Sequence, residues 1–136
     1  MPQLSVPLLP AGAFLDVGVG ASKKLTSPAN RPATWKALID TGASMTVIGP
    51  SVVSTLKPQQ IGYVPVSRAG GVTCFHGTYD VRIRFGGHTG PGRWYAVEAA
   101  EIQPATPDVD VLIGMDLLLK IYMVWNGSGR LVLLNH

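Results

Sequence analysis

An all-β domain with one or two short helices is the fold this sequence predicts, and three observations predict it. Gly (16) and Pro (11) are frequent and separate short runs rich in Val, Thr and Ile, the pattern of short strands joined by turns. Tyr79, Val81, Ile83 and Phe85 alternate with Asp80, Arg82 and Arg84, so one face of an extended segment is apolar and the other wet. The chain has 136 residues, 46% apolar and 14% charged, which suits one compact domain with a buried core.

The elements follow in order. Phe14–Val19 reads as a strand. Residues 20–34 carry two Pro, Ser, Asn and three basic residues, and read as an exposed loop. Trp35–Ile39 is expected to be a strand ending at a turn on Asp40, and Met45–Ile48 the next strand. Pro50 opens a short helix over Ser51–Lys57 that Pro58 stops. Ile61–Arg68 and Val72–Phe85 are long extended segments joined at Ala69-Gly70-Gly71. Residues 86–92 are a glycine-heavy loop, and Arg93–Ala99 returns as a strand. Val109–Ile113 is an apolar strand. Gly114–Lys120 is a short helix with an acid near its start and a base at its end. Tyr122–Trp125, a turn at Asn126–Gly129, and Leu131–Leu134 form a final hairpin.

Composition narrows the function. The net charge is +3, and its eleven Lys and Arg are scattered. Lys23-Lys24 and Arg82-x-Arg84 are the close basic pairs, with no aromatic-interleaved stripe, so nucleic acid is not the expected partner. Cys74 is the single cysteine, so an intrachain disulfide and a cysteine metal site are excluded. His76 shares the strand face of Cys74, which leaves a thiol–imidazole pair as a weaker alternative to a small strand residue. His76, His88 and His136 are too scattered for a zinc set. No run approaches the ~18 apolar residues that span a bilayer. The N-terminal stretch lacks a basic start and is broken by prolines, unlike a signal peptide. No cofactor and no metal are expected.

Chemistry concentrates at Asp40-Thr41-Gly42-Ala43-Ser44, set between Leu38-Ile39 and Met45-Thr46-Val47-Ile48. Gly42 permits a sharp turn and close approach of a partner chain. The Thr41 hydroxyl both donates and accepts. Ser44 is placed to bond the outer carboxylate oxygen. The flanking aliphatic residues exclude water and hold the loop.

With these residues the chain resembles a retropepsin, a retroviral-type aspartic protease, and in particular the cellular and bacterial single-domain relatives. Leu38-Ile39-Asp40-Thr41-Gly42-Ala43-Ser44 resembles the catalytic signature. Ser67-Arg68-Ala69-Gly70-Gly71-Val72 resembles the glycine-rich tip of the flap. Val111-Leu112-Ile113-Gly114-Met115-Asp116-Leu117-Leu118 resembles the second signature, which in that family packs behind the catalytic loop. The resemblance spans roughly residues 14–134 of a single domain covering 1–136. It implies a small closed barrel-like acid-protease fold, one lobe per chain, acting as an aspartic endopeptidase on polypeptide substrate. It assigns catalysis to Asp40, Thr41 and Gly42, and substrate contact to Ala43, Ser44, Ala69, Gly70 and Gly71. Ile113 and Gly114 would support the site. The 20–34 and 86–92 loops are additions to the minimal viral pattern. The alternative is a catalytically silent module of the same fold that dimerises or binds peptide.

Hydrolysis by carboxylates needs two acids sharing a proton. The chain has eight acids, and no second one lies in such a motif. Asp16-Val17-Gly18 lacks the hydroxyl. Asp108 and Asp110 read as a solvated loop, and Asp116 as a helix-start acid bonding nearby backbone. The second acid is therefore expected from Asp40 of another copy in a twofold homodimer. Leu131–Leu134, with Leu4, Val6 and Leu8 from the other end, are expected to help form the dimer sheet.

Overall fold

The structure, a computed structural model, describes residues 2–22, 31–67 and 70–136. Its strands are β1 (Gln3–Leu9), β2 (Gly12–Ala21), β3 (Ala33–Ile39), β4 (Val47–Ile48), β5 (Gln59–Ser67), β6 (Thr73–Phe85), β7 (Tyr95–Glu101), β8 (Val111–Ile113), β9 (Tyr122–Asn126) and β10 (Leu131–Asn135). Helix α1 (Pro50–Leu56) lies between β4 and β5, and α2 (Met115–Leu118) between β8 and β9.

Six strands close a barrel. β2 pairs with β3, then β8, β4, β7 and β6 follow, and β6 returns to β2. The β3–β8 and β4–β7 pairs are parallel, and closure leaves these strands no free edge inside the ring. β5 adds a hairpin arm to β6. β1, β10 and β9 form a further antiparallel strip, joined to β2 at Leu8↔Ala13 and Leu9↔Gly12.

Alternation explains the core. Val17, Val19, Val81, Ile83 and Phe85 point inward from β2 and β6 and are essentially inaccessible. Ile48, Val111 and Ile113 join them beneath the Asp40 turn, while Val52, Leu56 and Leu117 seal the core from the two helices. Each such side chain contributes roughly 1.5–3 kcal/mol by leaving water. The core also takes in Val6 and Ala13, ahead of Phe14.

Several boundaries differ from expectation. Gly20 and Ala21 are not loop but buried β2, paired with Arg82 and Val81. A Cβ at Gly18 would sit 2.5 Å from the His88 backbone, so small residues here carry tight packing rather than a turn. Ala33 and Thr34 open β3, and residues 23–30 of the expected loop lie outside the described residues. Met45 and Thr46 precede β4 and belong to the Asp40 turn. Arg93 and Trp94 lie before β7, and Val109 and Asp110 before β8. Lys120 follows α2 and donates to the Ala96 carbonyl (3.0 Å). Arg82 and Arg84 are more than solvated strand charges: their guanidinium carbons lie 4.7 and 4.6 Å from the Trp94 ring centre, a cation–π stack.

The two chain ends meet each other. Their strands pair within one chain, from Gln3↔Asn135 to Pro7↔Leu131. The apolar alternation of Leu4, Val6 and Leu8 is therefore matched locally, with Val6 buried against Val132 and Leu134.

Candidate active site

Asp40 leaves the end of β3, where its N–H donates to the Ile113 carbonyl (2.9 Å) and continues the parallel β3–β8 ladder by one residue. Its Oδ1 accepts from the Gly42 N–H at 3.0 Å, the Asx geometry that turns a chain on its own side chain. Ala43 N–H closes the turn on the Asp40 carbonyl (3.2 Å). The glycine requirement at 42 is closeness rather than a left-handed backbone, since a Cβ there would meet Asp40 Oδ1 at 3.3 Å. Asp40 is half-buried, and Thr41 and Gly42 are exposed.

The second signature binds this turn from behind. Met115 N–H donates to the Ala43 carbonyl (2.8 Å) and Asp116 N–H to the Ser44 carbonyl (3.2 Å). The recorded role of Ser44 is thus through its backbone, while the bond to Asp40 comes from Gly42. Ile113 is fully buried and supplies the carbonyl beneath Asp40. Gly114 packs so closely that a Cβ would lie 2.5 Å from the Met45 carbonyl carbon.

Sequence reasoning missed Thr46, which is wholly buried. Its hydroxyl donates to Asp116 Oδ1 (2.7 Å) and accepts from Gly114 N–H (3.1 Å). Its own N–H bonds both Asp116 oxygens (3.0 and 3.1 Å). Asp116 also accepts from Leu117 N–H (2.8 Å). The expected helix-start role of Asp116 is present, together with a larger one, a bridge between α2 and the Asp40 turn. A polar residue inside an otherwise apolar strand was the available signal, because a buried hydroxyl needs a partner.

A cleft of ≈ 380 Å³ opens beside the turn. Gly42, Ala43, Ser44 and Met45 form one wall, Val64–Ser67 of β5 another, and Val47, Ala100 and Ile102 its floor. The β5–β6 hairpin thus faces the Asp40 turn across an aliphatic space. At its tip Gly70 and Gly71 have φ of +96° and +80°, which only glycine adopts without strain, and no atom would meet a Cβ at either position within 4 Å. Ala69, with Arg68, lies outside the described residues.

The other seven acids of the chain occupy other places. Asp16 stands on β2 opposite Lys36, and Asp80 opposite Glu98. Glu101 accepts from the Tyr79 hydroxyl (3.1 Å), where burial first, and then that bond, push the phenol above its ordinary value. Asp108 is in a left-handed turn conformation (φ 62°). Asp110 accepts from Ser51 (3.2 Å), and Asp116 is engaged with Thr46. His76 directs Nδ1 to the Glu101 carbonyl (3.0 Å), which anchors the ring beside β7. Among the described residues no group of three or more His, Cys, Asp or Glu is placed to hold a metal ion, and no helix is long and apolar enough to cross a membrane.

A half-buried acid on a strapped turn, the turn's Gly42–Met45 lying across a cleft from a hairpin, on a six-stranded mixed barrel, defines a retropepsin-like fold. The aspartyl protease family model matches residues 30–117, and the chain belongs to that family. In structure it is similar to a retropepsin-like aspartic protease from Rickettsia conorii, with a TM-score of 0.63 and 13% identity over 99% of this chain and 91% of that one. No curated protein matches the sequence.

Proposed function

We propose that the protein is an aspartic endopeptidase whose active centre forms between the Asp40 carboxylates of two copies. The observation that carries this is Asp40 itself. It stands on a turn that is bonded from behind and whose Gly42, Ala43 and Ser44 line the cleft, and no other acid of the chain lies on that turn. A second copy brought against the first sets carboxylate against carboxylate. Two such groups cannot both ionise cheaply, so the pair shares a proton. The ionised member draws a proton from a water as it attacks the peptide carbonyl, and the protonated member donates to the carbonyl oxygen. The roles belong to the pair, since its protons do. Thr41 of each copy braces the contact. Substrate lies extended as an added strand, the β5–β6 hairpin closes over it as the flap, and the aliphatic cleft seats an apolar side chain.

Asp40→Asn tests this directly. Cleavage of unfolded peptides at acidic pH is expected to fall by on the order of 10³-fold or more, with the circular dichroism spectrum and melting curve unchanged. Full activity in Asp40→Asn would falsify the assignment. Wild type that binds peptide without turning it over would instead mark the silent dimerisation or peptide-binding module.

A further inference from the structure

We infer that Arg82, Arg84 and Trp94 form a second binding site on the outer wall of the barrel, and that it takes an acidic segment of the polypeptide being cleaved. The inference rests on the protease reading above and adds a substrate class to it.

Arg82 and Arg84 stand two apart on β6, so their side chains leave the same face of the sheet. Each guanidinium stacks on Trp94, and each is tied to a backbone carbonyl. Arg82 Nε donates to Ala21 (3.1 Å) and Arg84 Nη1 to His88 (3.0 Å). Glycine makes room for this: a Cβ at Gly20 would meet Arg82 Nε at 3.0 Å. Stacking engages the face of a guanidinium and leaves its N–H donors in the plane. Among the described residues, Arg82 Nη1 and Nη2 and Arg84 Nη2 have no hydrogen-bond partner, and Arg84 Nε is buried without one. Two cations are thus fixed side by side, and among the described residues no carboxylate is bonded to either.

Like charges held close repel until an anion joins them, and guanidinium N–H pairs match a carboxylate. Spacing selects the ligand. Alternate positions on a strand are about 6.5 Å apart, and alternate side chains of an extended peptide repeat at the same distance. Two acids separated by one residue therefore meet Arg82 and Arg84 together. Asp80 and Glu98 stand opposite each other one step beyond Arg82 on the same face, so negative charge bounds the site. A long polyanion such as nucleic acid is repelled there, and a short acidic stretch is not. The route from the cleft identifies whose segment it is. A hollow of ≈ 330 Å³ shares Ser44 and Met45 with the cleft. Ala96 lines it as well and stands directly opposite Arg82 across β6 and β7. Glu98 and Lys120 make the hollow polar, so it suits a hydrophilic stretch of chain. A substrate that leaves the cleft over Ser44 and Met45 reaches Arg82 past Ala96.

The test uses the full chain and two peptides, one carrying Glu-Gly-Glu and one with Gln at both acidic positions. Calorimetric titration into Asp40→Asn protein, which leaves the peptide uncut, is expected to show the Glu peptide binding about tenfold or more tighter than the Gln peptide. Arg82→Gln and Arg84→Gln, each added to that background, are expected to abolish the preference. Two variants are used so that a folding defect in one does not decide the matter. With Asp40 intact, a cleavable substrate bearing Glu-Gly-Glu beyond the residues that fill the cleft is expected to show a KM about tenfold lower than its Gln counterpart, with kcat unchanged. Either arginine variant is expected to remove that advantage and to leave cleavage of the Gln substrate as it was. If folded variants keep the preference in the titration, or Asp40→Asn alone shows none, the site is not at Arg82 and Arg84, although the Asp40 reading stands. A Glu peptide that binds through the arginines but brings no gain in cleavage overturns the assignment to substrate. Wild type that cleaves neither substrate overturns the protease reading and that assignment together, while the titration by itself still seats an acidic peptide on the arginines.

Discussion

At the scale of single residues, Thr46 ties the site together. Its hydroxyl is both donor to Asp116 and acceptor from Gly114, inside a space that excludes water. Thr46→Val keeps the shape but leaves a buried N–H and a carboxylate oxygen short of a partner. It is expected to cost about 1–3 kcal/mol of stability, read as a lower urea midpoint, and to depress kcat more than it raises KM. Gly114→Ala forces a Cβ to 2.5 Å from backbone, and is expected to destabilise by about 1–3 kcal/mol as overpacking does, measured in the same titration. His136 makes a pH prediction. It is buried with its ring 5.8 Å from that of Phe85, and burial pushes its imidazole below the ordinary histidine value. The unfolded chain then takes up the proton first, so stability is fullest above about pH 6.5 and declines as pH falls toward the lowered native value. Melting temperatures between neutral and mildly acidic pH are expected to drop more steeply for wild type than for His136→Gln.

Among the elements, the β5–β6 hairpin makes the sharpest functional claim. Gly70 and Gly71 adopt left-handed backbone in open space, so a side chain there meets no neighbour but strains the turn. Gly71→Val is expected to lower kcat/KM about tenfold or more with little change in melting temperature, because the tip contributes no core. Steady-state kinetics beside a thermal melt separates the two effects. This hairpin was readable because its two arms alternate and its tip is glycine. β4 was less readable. Met45–Ile48 has the composition of a strand, yet Val47–Ile48 alone is one, because Met45 and Thr46 are drawn into the Asp40 turn by α2. β1 was missed as an in-chain strand because its prolines obscure the alternation. Pro7 lies on an outer, exposed position of the strip, where strands tolerate the ring.

For the whole molecule, assembly and chemistry are one question. If the active centre is shared, specific activity is expected to rise with protein concentration through the dimer dissociation constant. Mixing wild type with excess Asp40→Asn is expected to poison activity by forming mixed pairs. A titration of one against the other, assayed by peptide cleavage, checks this. Activity that follows the wild-type fraction linearly speaks for independent monomers.

The sequence by itself determined the strand-and-turn character of the chain and the presence of one Asp-Thr-Gly motif, at Asp40, with no second. These are local matters: period, turn residues and motif spacing are all written within a few positions. Tertiary structure decided what Thr46 and Asp116 bond to, since they lie 70 residues apart. It also decided that the two chain ends pair with each other, with β5 and β9 at the two ends of the strand order. Such outcomes depend on which surfaces meet when the barrel closes, and no local pattern encodes that choice.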